Sequence, residues 1–409
     1  MSIDSSPTIE PGDFDHLDRP SRQFIDKMTA TYRTEIETND LLVRKLERRR
    51  GPAFVRSTKG ELSECLRLFL INRGLDDFEI RDSKWFVGGA SKIQLGFTLE
   101  SKTESGRQVR RMVLRMDPSE SLNATSRVRE FDMLRAFEHH LPVPRVYWVD
   151  AEGDFFPEPA LVYEYVAGVT KPADVENVGI SGVGTNFGAR LRKILADQFV
   201  KHLAVVHTFQ PDLSTFARLD TPSVGTTESA QWQVNRALRV WDEDRGEDLP
   251  LMEVAASWLL ANLPVLDVVS VVHGDFRSGN FLFDDESGDI RAWLDWERSH
   301  LGDRHRDLAW TTQRLFGHYL GDEYLVCGLM SESEFYSRYS DLSGMTVDRE
   351  RLHFYKVLNC FQLVVSTVAT AYRVTRLGKS HQDVLLARVR GEAPVLLEEL
   401  RGLLREVAS

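Results

Sequence analysis

The sequence predicts an α+β protein of two lobes, a small one built on a sheet and a larger, mainly helical one. Two observations predict it. Five strand-like runs fall between residues 78 and 166, and beyond them apolar residues recur almost entirely at threes and fours, the helical spacing. With 409 residues, the chain also has the length for two lobes with ample core. Its 42% hydrophobic and 28% charged content is that of an ordinary globular protein.

Residues 1–22, rich in Ser, Pro and Asp, read as a mobile tail. Residues 23–77 read as accessory helices. Phe24, Ile25, Met28, Tyr32 and Ile36 predict one helix running to Arg50, with Arg48-Arg49-Arg50 as a solvated end favoured by the helix dipole. After Gly51-Pro52, the residues Leu62, Cys65, Leu66, Phe69 and Leu70 describe a second, stopped near Gly74. The small lobe is expected over 78–166. Its strand-like runs are 78–87, 91–99, 108–116, 143–149 and 159–166, and Gly88-Gly89-Ala90-Ser91 joins the first two. Between the third and fourth, Val128, Phe131, Leu134 and Phe137 mark one face of a helix. Arg127, Arg129 and Arg135 there offer ordinary surface pairs.

Gly168 marks the crossing to the second lobe, expected over 167–409. The stretch to about residue 188, with Gly179, Gly182 and Gly184, reads as a flexible connection or lid. It lacks the preceding strand and the following Gly-Lys-Ser/Thr of a phosphate loop, and Gly378-Lys379-Ser380 lacks that motif's first glycine, Arg373 standing there. Leu191, Ile194, Leu195, Phe199, Leu203 and Val206 predict a long helix. The polar region 211–249 includes Trp232 and Trp241, and its acidic stretch 242–248 reads as a solvated loop. Further helical patterns cover 251–263, the segment after Leu301, 332–339, 349–376 and 382–406.

The excess of 62 acidic over 51 basic residues, a net charge of -11, argues against broad nucleic-acid binding. Cys65, Cys327 and Cys360 are far apart and odd in number, so no disulfide framework or thiolate zinc cluster is expected. No apolar run reaches spanning length, and the first residues lack a basic start and an apolar core. A soluble, unprocessed cytoplasmic protein without nucleic-acid or membrane partners is expected. The sequence does not specify the oligomeric state.

The chemistry gathers between residues 271 and 297. A short apolar run ends in His273-Gly274-Asp275, Asn280 follows five residues after Asp275, and a second apolar run delivers Asp295. Phosphoryl transfer from a nucleotide needs a carboxylate to accept the proton of the attacking hydroxyl, hard oxygen ligands for Mg²⁺, and cations for the developing charge. Asp275, Asn280 and Asp295 have those types in that order. His273-Gly274-Asp275 with Asn280, and Leu294-Asp295-Trp296-Glu297, resemble the aminoglycoside phosphotransferase family, from about Phe86 to beyond Trp310.

The resemblance implies a bilobal protein-kinase-like fold with a five-stranded antiparallel sheet in the small lobe. It implies Asp275 as base, Asn280 and Asp295 on Mg²⁺, and the Gly88, Gly89 and Ser91 turn with Arg115 on the phosphates. Arg115 departs from the usual strand lysine but keeps the charge and can grip phosphate with a fork. Glu130 would pair with Arg115, main-chain groups of Glu164 and Val166 would hold the nucleobase, and Asp307 would brace the catalytic loop. Main-chain contacts do not choose between ATP and GTP, so either is the expected donor. His273 reads as a loop brace bonded to main chain. Glu297 either adds a water-mediated metal contact or pairs with Arg298.

Aminoglycosides are polycations and call for carboxylates around the acceptor. Near the loop stand Arg277, Arg298, His300, Arg304, His305 and Arg306, with Glu297 and Asp303 as the acidic exceptions. That excess favours an anionic or neutral small-molecule acceptor. The same motifs resemble the branch of the family fused to some acyl-CoA dehydrogenases, which implies an acceptor such as a hydroxyacyl-CoA. The alternatives are an aminoglycoside antibiotic kinase, a catalytically silent nucleotide-binding module, and a metal-dependent phosphohydrolase, which the lack of histidine ligands disfavours.

Overall fold

The computed structural model describes residues 14–52, 55–86, 92–103, 106–118, 120–177, 182–212, 216, 218–380, 386–387 and 389–406. Four helices come first: α1 (Asp15–Asp18), α2 (Arg22–Thr31), α3 (Ile36–Arg48) and α4 (Lys59–Asn72). Leu17 of α1 is buried, so packing begins inside the segment read as a tail. The single helix expected to Arg50 is two, because Tyr32, Glu35 and the chain between them bond outward. The Tyr32 hydroxyl donates to Asp242, Glu35 pairs with Arg129 at 2.9 Å, and Ile36, counted on the apolar stripe, is 67% exposed. Ser21 caps α2, and Thr58 with Glu61 forms a capping box on α4.

Period-two alternation sets the small lobe. Strands β1 (Phe78–Trp85), β2 (Ile93–Thr103), β3 (Gly106–Met116), β4 (Val146–Asp150) and β5 (Ala160–Glu164) pair antiparallel in the order β1-β2-β3-β5-β4. Met112, Leu114 and Met116 of β3 face one side, where they pack with Leu95, Phe97 and Leu99 against Leu62, Leu66, Phe69 and Leu70 of α4. Val113 packs on the other side with Leu161 and Tyr163 against Met133, Leu134 and Phe137 of α5 (Arg127–Phe137). Arg115, two residues on, therefore projects toward α5 and the larger lobe.

The crossing into that lobe is pinned. Val169 exchanges backbone hydrogen bonds of 2.9 and 3.0 Å with Phe283, and a Cβ at Gly168 would lie 2.9 Å from that of Leu282. The large lobe holds α6 (Gly188–Thr208), α7 (Glu228–Asp244), α8 (Pro250–Ala261), three short antiparallel pairs, and further helices. In the pairs, β6 (Ser270–Val272) joins β9 (His300–Gly302), β7 (Phe281–Phe283) joins β8 (Ile290–Trp293), and β10 (His318–Leu320) joins β11 (Glu323–Leu325). The helices are α9 (His305–Thr311), α10 (Glu332–Ser343), α11 (Arg349–Val364), α12 (Ala371–Leu377) and α13 (Ala393–Glu406). Phe199, Phe276, Trp293, Trp296, Leu308, Phe335 and Phe361 are central to the core.

Three further expectations change. The stretch 242–248 is no solvated loop throughout, because Glu243 and Asp244 end α7 fully buried. Asp244 pairs with Lys45 at 2.9 Å, with Arg373 at 3.1 Å and with Arg49, which is buried rather than part of a solvated helix end. Nor is the described part of the glycine-rich stretch loose: a Cβ at Gly182, φ +75°, would lie 2.3 Å from Gly279 in the catalytic loop. Lastly, α11, a π-helical segment Val365–Thr370 and α12 join into a helix of spanning length, 78% of whose most apolar window is buried as core.

Candidate active site

Strand β6 delivers the chain into a loop, 273–280, whose main chain is held from below by Asp307 of α9. The amides of His273 and Gly274 donate to the Asp307 carboxylate at 2.6 and 2.8 Å, and His207 Nε2 lies 3.3 Å from it. Asp307 is buried, and burial alone would raise its pKa, but its hydrogen bond and charge interaction with His207 outweigh that and lower it. The His273 ring lies 3.1 Å from the Leu294 carbonyl through Nε2 and accepts the Asp275 amide at Nδ1 at 3.2 Å, which fixes the neutral tautomer. Burial pulls its pKa down, so it stays uncharged. Gly274 has φ +80°, and a Cβ there would lie 2.6 Å from the Arg298 carbonyl. Only glycine meets both demands.

Asp275 emerges above this brace, its side chain 16% exposed. One carboxylate oxygen accepts from the Trp310 indole at 2.7 Å and from Arg277 at 3.0 Å; the other accepts from Asn280 Nδ2 at 2.7 Å. Asn280 Nδ2 also donates to the Asp275 carbonyl at 2.8 Å, so its amide nitrogen is engaged and its oxygen is left for another partner. Neither Trp310 nor the Arg277 contact is readable from the motif.

Asp295 arrives after β8 in the left-handed conformation, φ 62°, ψ 46°, with its side chain 30% exposed. Arg115 Nη2 lies 2.5 Å from it and also donates to Glu297, while Arg115 Nε lies 3.3 Å from Glu130. The network continues. Arg127 pairs with Glu130, with Glu297 at 3.0 Å and with Asp117 at 3.5 Å, and Lys92 pairs with Asp117 at 2.7 Å and Glu297 at 3.3 Å. Three cations thus face four carboxylates, of which Asp295 alone is substantially open to solvent. Burial opposes the charge on Arg115, but Glu130, Asp295 and Glu297 outweigh it and hold its pKa well above the ordinary value. Burial likewise would raise the pKa of Glu297, yet Lys92, Arg115 and Arg127 hold it well below the carboxylate range. At Glu130 burial prevails and raises the pKa despite Arg115 and Arg127.

Several expectations are corrected by this network. Glu297 pairs with Lys92, Arg115 and Arg127, not with Arg298. Arg127 and Arg129 are buried rather than surface residues, the latter paired with Glu35. Lys92, which the sequence reading missed, stands directly after the glycine turn. Gly88, Gly89 and Ser91 themselves lie outside the described residues.

The oxygens of Glu130, Asp295 and Glu297 come within 4.8 Å of one another, but Arg115 contacts all three and occupies that cradle. For Mg²⁺ the fitting donors are the part-exposed Asp295 carboxylate and the uncommitted amide oxygen of Asn280, both hard oxygens. Leu294 N donates to the Asn280 carbonyl at 2.8 Å, tying the two ligand segments together. At the far end of the cleft, the amides of Glu164 and Tyr165 are taken by the carbonyls of Arg145 and Arg111 at 2.8 and 2.9 Å. The Glu164 amide is thereby withdrawn from a base contact, while the Val166 amide makes no hydrogen bond among the described residues.

Of the six groups named around the loop, three are spent on carboxylates, and burial takes the pKa of His300 down to about 4, so it carries no charge. Arg304 forks onto Asp267 at 2.9 and 3.0 Å, His305 bonds Asp303 at 2.7 Å, and Arg277 holds Asp275. Arg298 and Arg306 remain, stacked over Trp310 at 4.8 and 5.7 Å from its ring centre.

Comparison with known proteins bears on what this arrangement is. The family model described as "Phosphotransferase enzyme family" matches residues 99–331, more than half of the chain. A probable acyl-CoA dehydrogenase, IBR3, of Arabidopsis thaliana is 24% identical over 303 residues, covering 70% of this chain and 36% of its own. Acyl-CoA dehydrogenase family member 10 of Mus musculus is 26% identical over 209 residues, 49% of this chain and 18% of its own. The chain thus spans about a third or less of these relatives. Among solved structures, a putative aminoglycoside phosphotransferase from Ralstonia eutropha JMP134 superposes with a TM-score of 0.58 at 19% identity, over 84% of this chain and 98% of its own. A thermostable mutant of the aminoglycoside phosphotransferase APH(4)-Ia, in ternary complex with ADP and hygromycin B, gives 0.50 at 18% identity, over 81% and 97%. These two likenesses establish the bilobal kinase-like fold.

Proposed function

The chain belongs to the phosphotransferase enzyme family, and we propose that it moves the γ-phosphoryl of ATP or GTP to a hydroxyl of an anionic small molecule. The carrying observation is Asp275: a part-exposed carboxylate fixed by Trp310, Arg277 and Asn280, in a loop tied to the Asp295 segment by the bond from Leu294 N to the Asn280 carbonyl. In the proposed step Asp275 accepts the proton of the acceptor hydroxyl, whose oxygen forms the new bond to the γ-phosphorus. The bond from that phosphorus to the β-bridging oxygen breaks, and the nucleoside diphosphate leaves. Asn280 and Asp295 would hold Mg²⁺, which neutralises phosphate charge when bound. Arg115, fixed by Glu130, would meet the phosphates with the Gly88, Gly89 and Ser91 turn, and the Glu164 carbonyl and Val166 amide would meet the base.

Two observations support an anionic acceptor such as a hydroxyacyl-CoA. Arginines rather than carboxylates lie beyond Trp310, and two of the relatives are named as acyl-CoA dehydrogenases. An aminoglycoside acceptor is the second reading, motivated by the hygromycin complex of a structural neighbour. The test is transfer from Mg-ATP and Mg-GTP to matched panels of hydroxyacyl thioesters and aminoglycosides. The proposal expects a phosphorylated thioester that Asp275→Asn does not form; a phosphorylated aminoglycoside would select the second reading.

A further inference from the structure

Three guanidinium groups gather from separate elements: Arg298 of the turn after β8 and Arg306 of α9, both over Trp310, and Arg236 of α7, which shares a cleft with Arg298. Arg236, Arg298 and Gln362 line one cleft, and Arg306 reaches it through a hydrogen bond to the Gln362 side chain. Arg306 is 2% exposed, yet its Nε and Nη1 have no partner, and Nε of Arg298 has none either. Among the described residues none of the three forms an ion pair with a carboxylate.

The carboxylates within reach are committed elsewhere. Glu35 bonds Arg129 and Thr38; Asp307 holds the amides of the catalytic loop; Asp275 holds Trp310, Arg277 and Asn280. Burial, then the neighbouring arginines, push Arg306 down to about 9; burial, then Arg298, take Arg236 to about 10, with Glu35 opposing weakly. Arg306 is removed from water without a counter-charge, which is costly, and the half-buried Arg236 and Arg298 set like charge beside it, so the cluster suits a ligand that supplies the negative charge. Trp310 ties the cluster to the chemistry, its indole bonding Asp275 while its ring carries Arg298 and Arg306.

We propose that Arg236, Arg298 and Arg306 form the subsite for an oxyanion group of the acceptor, a carboxylate or a phosphate, that sets its hydroxyl at Asp275. The proposal rests on the phosphotransferase reading and deepens it.

The test has a binding arm and a turnover arm. With the nucleotide site filled by a non-hydrolysable Mg-nucleotide, inorganic phosphate and succinate are titrated by calorimetry. Saturable binding is expected, weakened about tenfold or more by Arg298→Gln and by Arg236→Gln, and partly restored by Arg298→Lys. The tighter of the two probes identifies the group. Without ligand, Arg298→Gln and Arg306→Gln should melt no lower than the parent, because each removes an unneutralised charge. Equal anion affinity in parent and variants, or lower melting with unchanged affinity, overturns the subsite. In the turnover arm, an acceptor that carries an acid group, a hydroxy acid or a hydroxyacyl-CoA with its phosphates, should be phosphorylated in preference to the hydroxyacyl methyl ester, which has none. If the ester serves equally well, the subsite falls and the kinase reading stands. If arginine-dependent binding persists but no acceptor is phosphorylated, the kinase reading falls and the anion site stands.

Discussion

Arg236 and Arg239 lie one turn apart on α7 and belong to two clusters of opposite character. Arg239 joins a knot in which Lys45, Arg49 and Arg373 face Glu120, Glu243 and Asp244, pairs closing at 2.7 Å for Arg239 with Glu243 and 2.6 Å for Arg373 with Glu120. That knot fastens α3 and the segment after β3 onto the large lobe. Arg236 faces a cleft with Arg298 and Arg306 and no carboxylate to match. The lesson is that buried charge marks a site only when its accounts do not balance: the first cluster is structure, and the second waits for a ligand.

The comparison is sharpened most by the residue that stands beside the open cluster yet is itself fully bonded. Asp275→Asn should lower phosphoryl transfer by about 10²- to 10⁴-fold while leaving nucleotide affinity near the parent value, because it removes a proton acceptor and no phosphate contact. Steady-state rates beside nucleotide titrations check it, and near-normal turnover would remove Asp275 as base. In the closed cluster, Asp244→Ala strands Arg49, Lys45 and Arg373 and should cost roughly 3–5 kcal/mol in denaturant unfolding. A loss below about 1 kcal/mol would show that the knot is not what holds α3.

In the open cluster, Arg298→Gln should raise the acceptor KM about tenfold, equivalent to about 1.4 kcal/mol, with little change in kcat. A loss in kcat alone would make Arg298 a positioning residue instead. The smallest effect is one of pH. His300 sits among Glu35, Arg306 and Arg129, and burial, with the arginines adding to it, takes its pKa down to about 4. It is neutral when folded, whereas the unfolded residue binds a proton below about pH 6.5. Stability from this group is therefore whole above that pH and is lost as pH falls toward 4, of order 1–2 kcal/mol at pH 5. His300→Asn should flatten that part of a melting-temperature profile, and an unchanged slope would show that His300 does not carry it.

The sequence made the catalytic loop legible because its groups are local. Asp275 and Asn280 lie within one short loop, and His273 bonds the main chain of the next strand's end. Arg115 was legible through strand alternation, which places it opposite Leu114 and Met116. What stayed hidden depends on contacts between distant segments. The acidic run at 242–248 looks solvated until α3 docks on α7, 199 residues from Lys45 to Asp244. Arg127 looks like a surface residue until the second hairpin brings Glu297 to it, and Arg236 has no local signal that sets it apart from Arg239. Composition also overstated the cationic excess near the loop, since Arg304, His305 and Arg277 each have a carboxylate of their own.

The most direct test of the account is phosphorus NMR of Mg-ATP or Mg-GTP incubated with the protein and a hydroxyacyl thioester. The account predicts a new phosphate-monoester resonance on the acceptor, growing with nucleoside diphosphate and absent with Asp275→Asn. Release of inorganic phosphate alone, or an ester that forms equally with the Asp275→Asn protein, would contradict it.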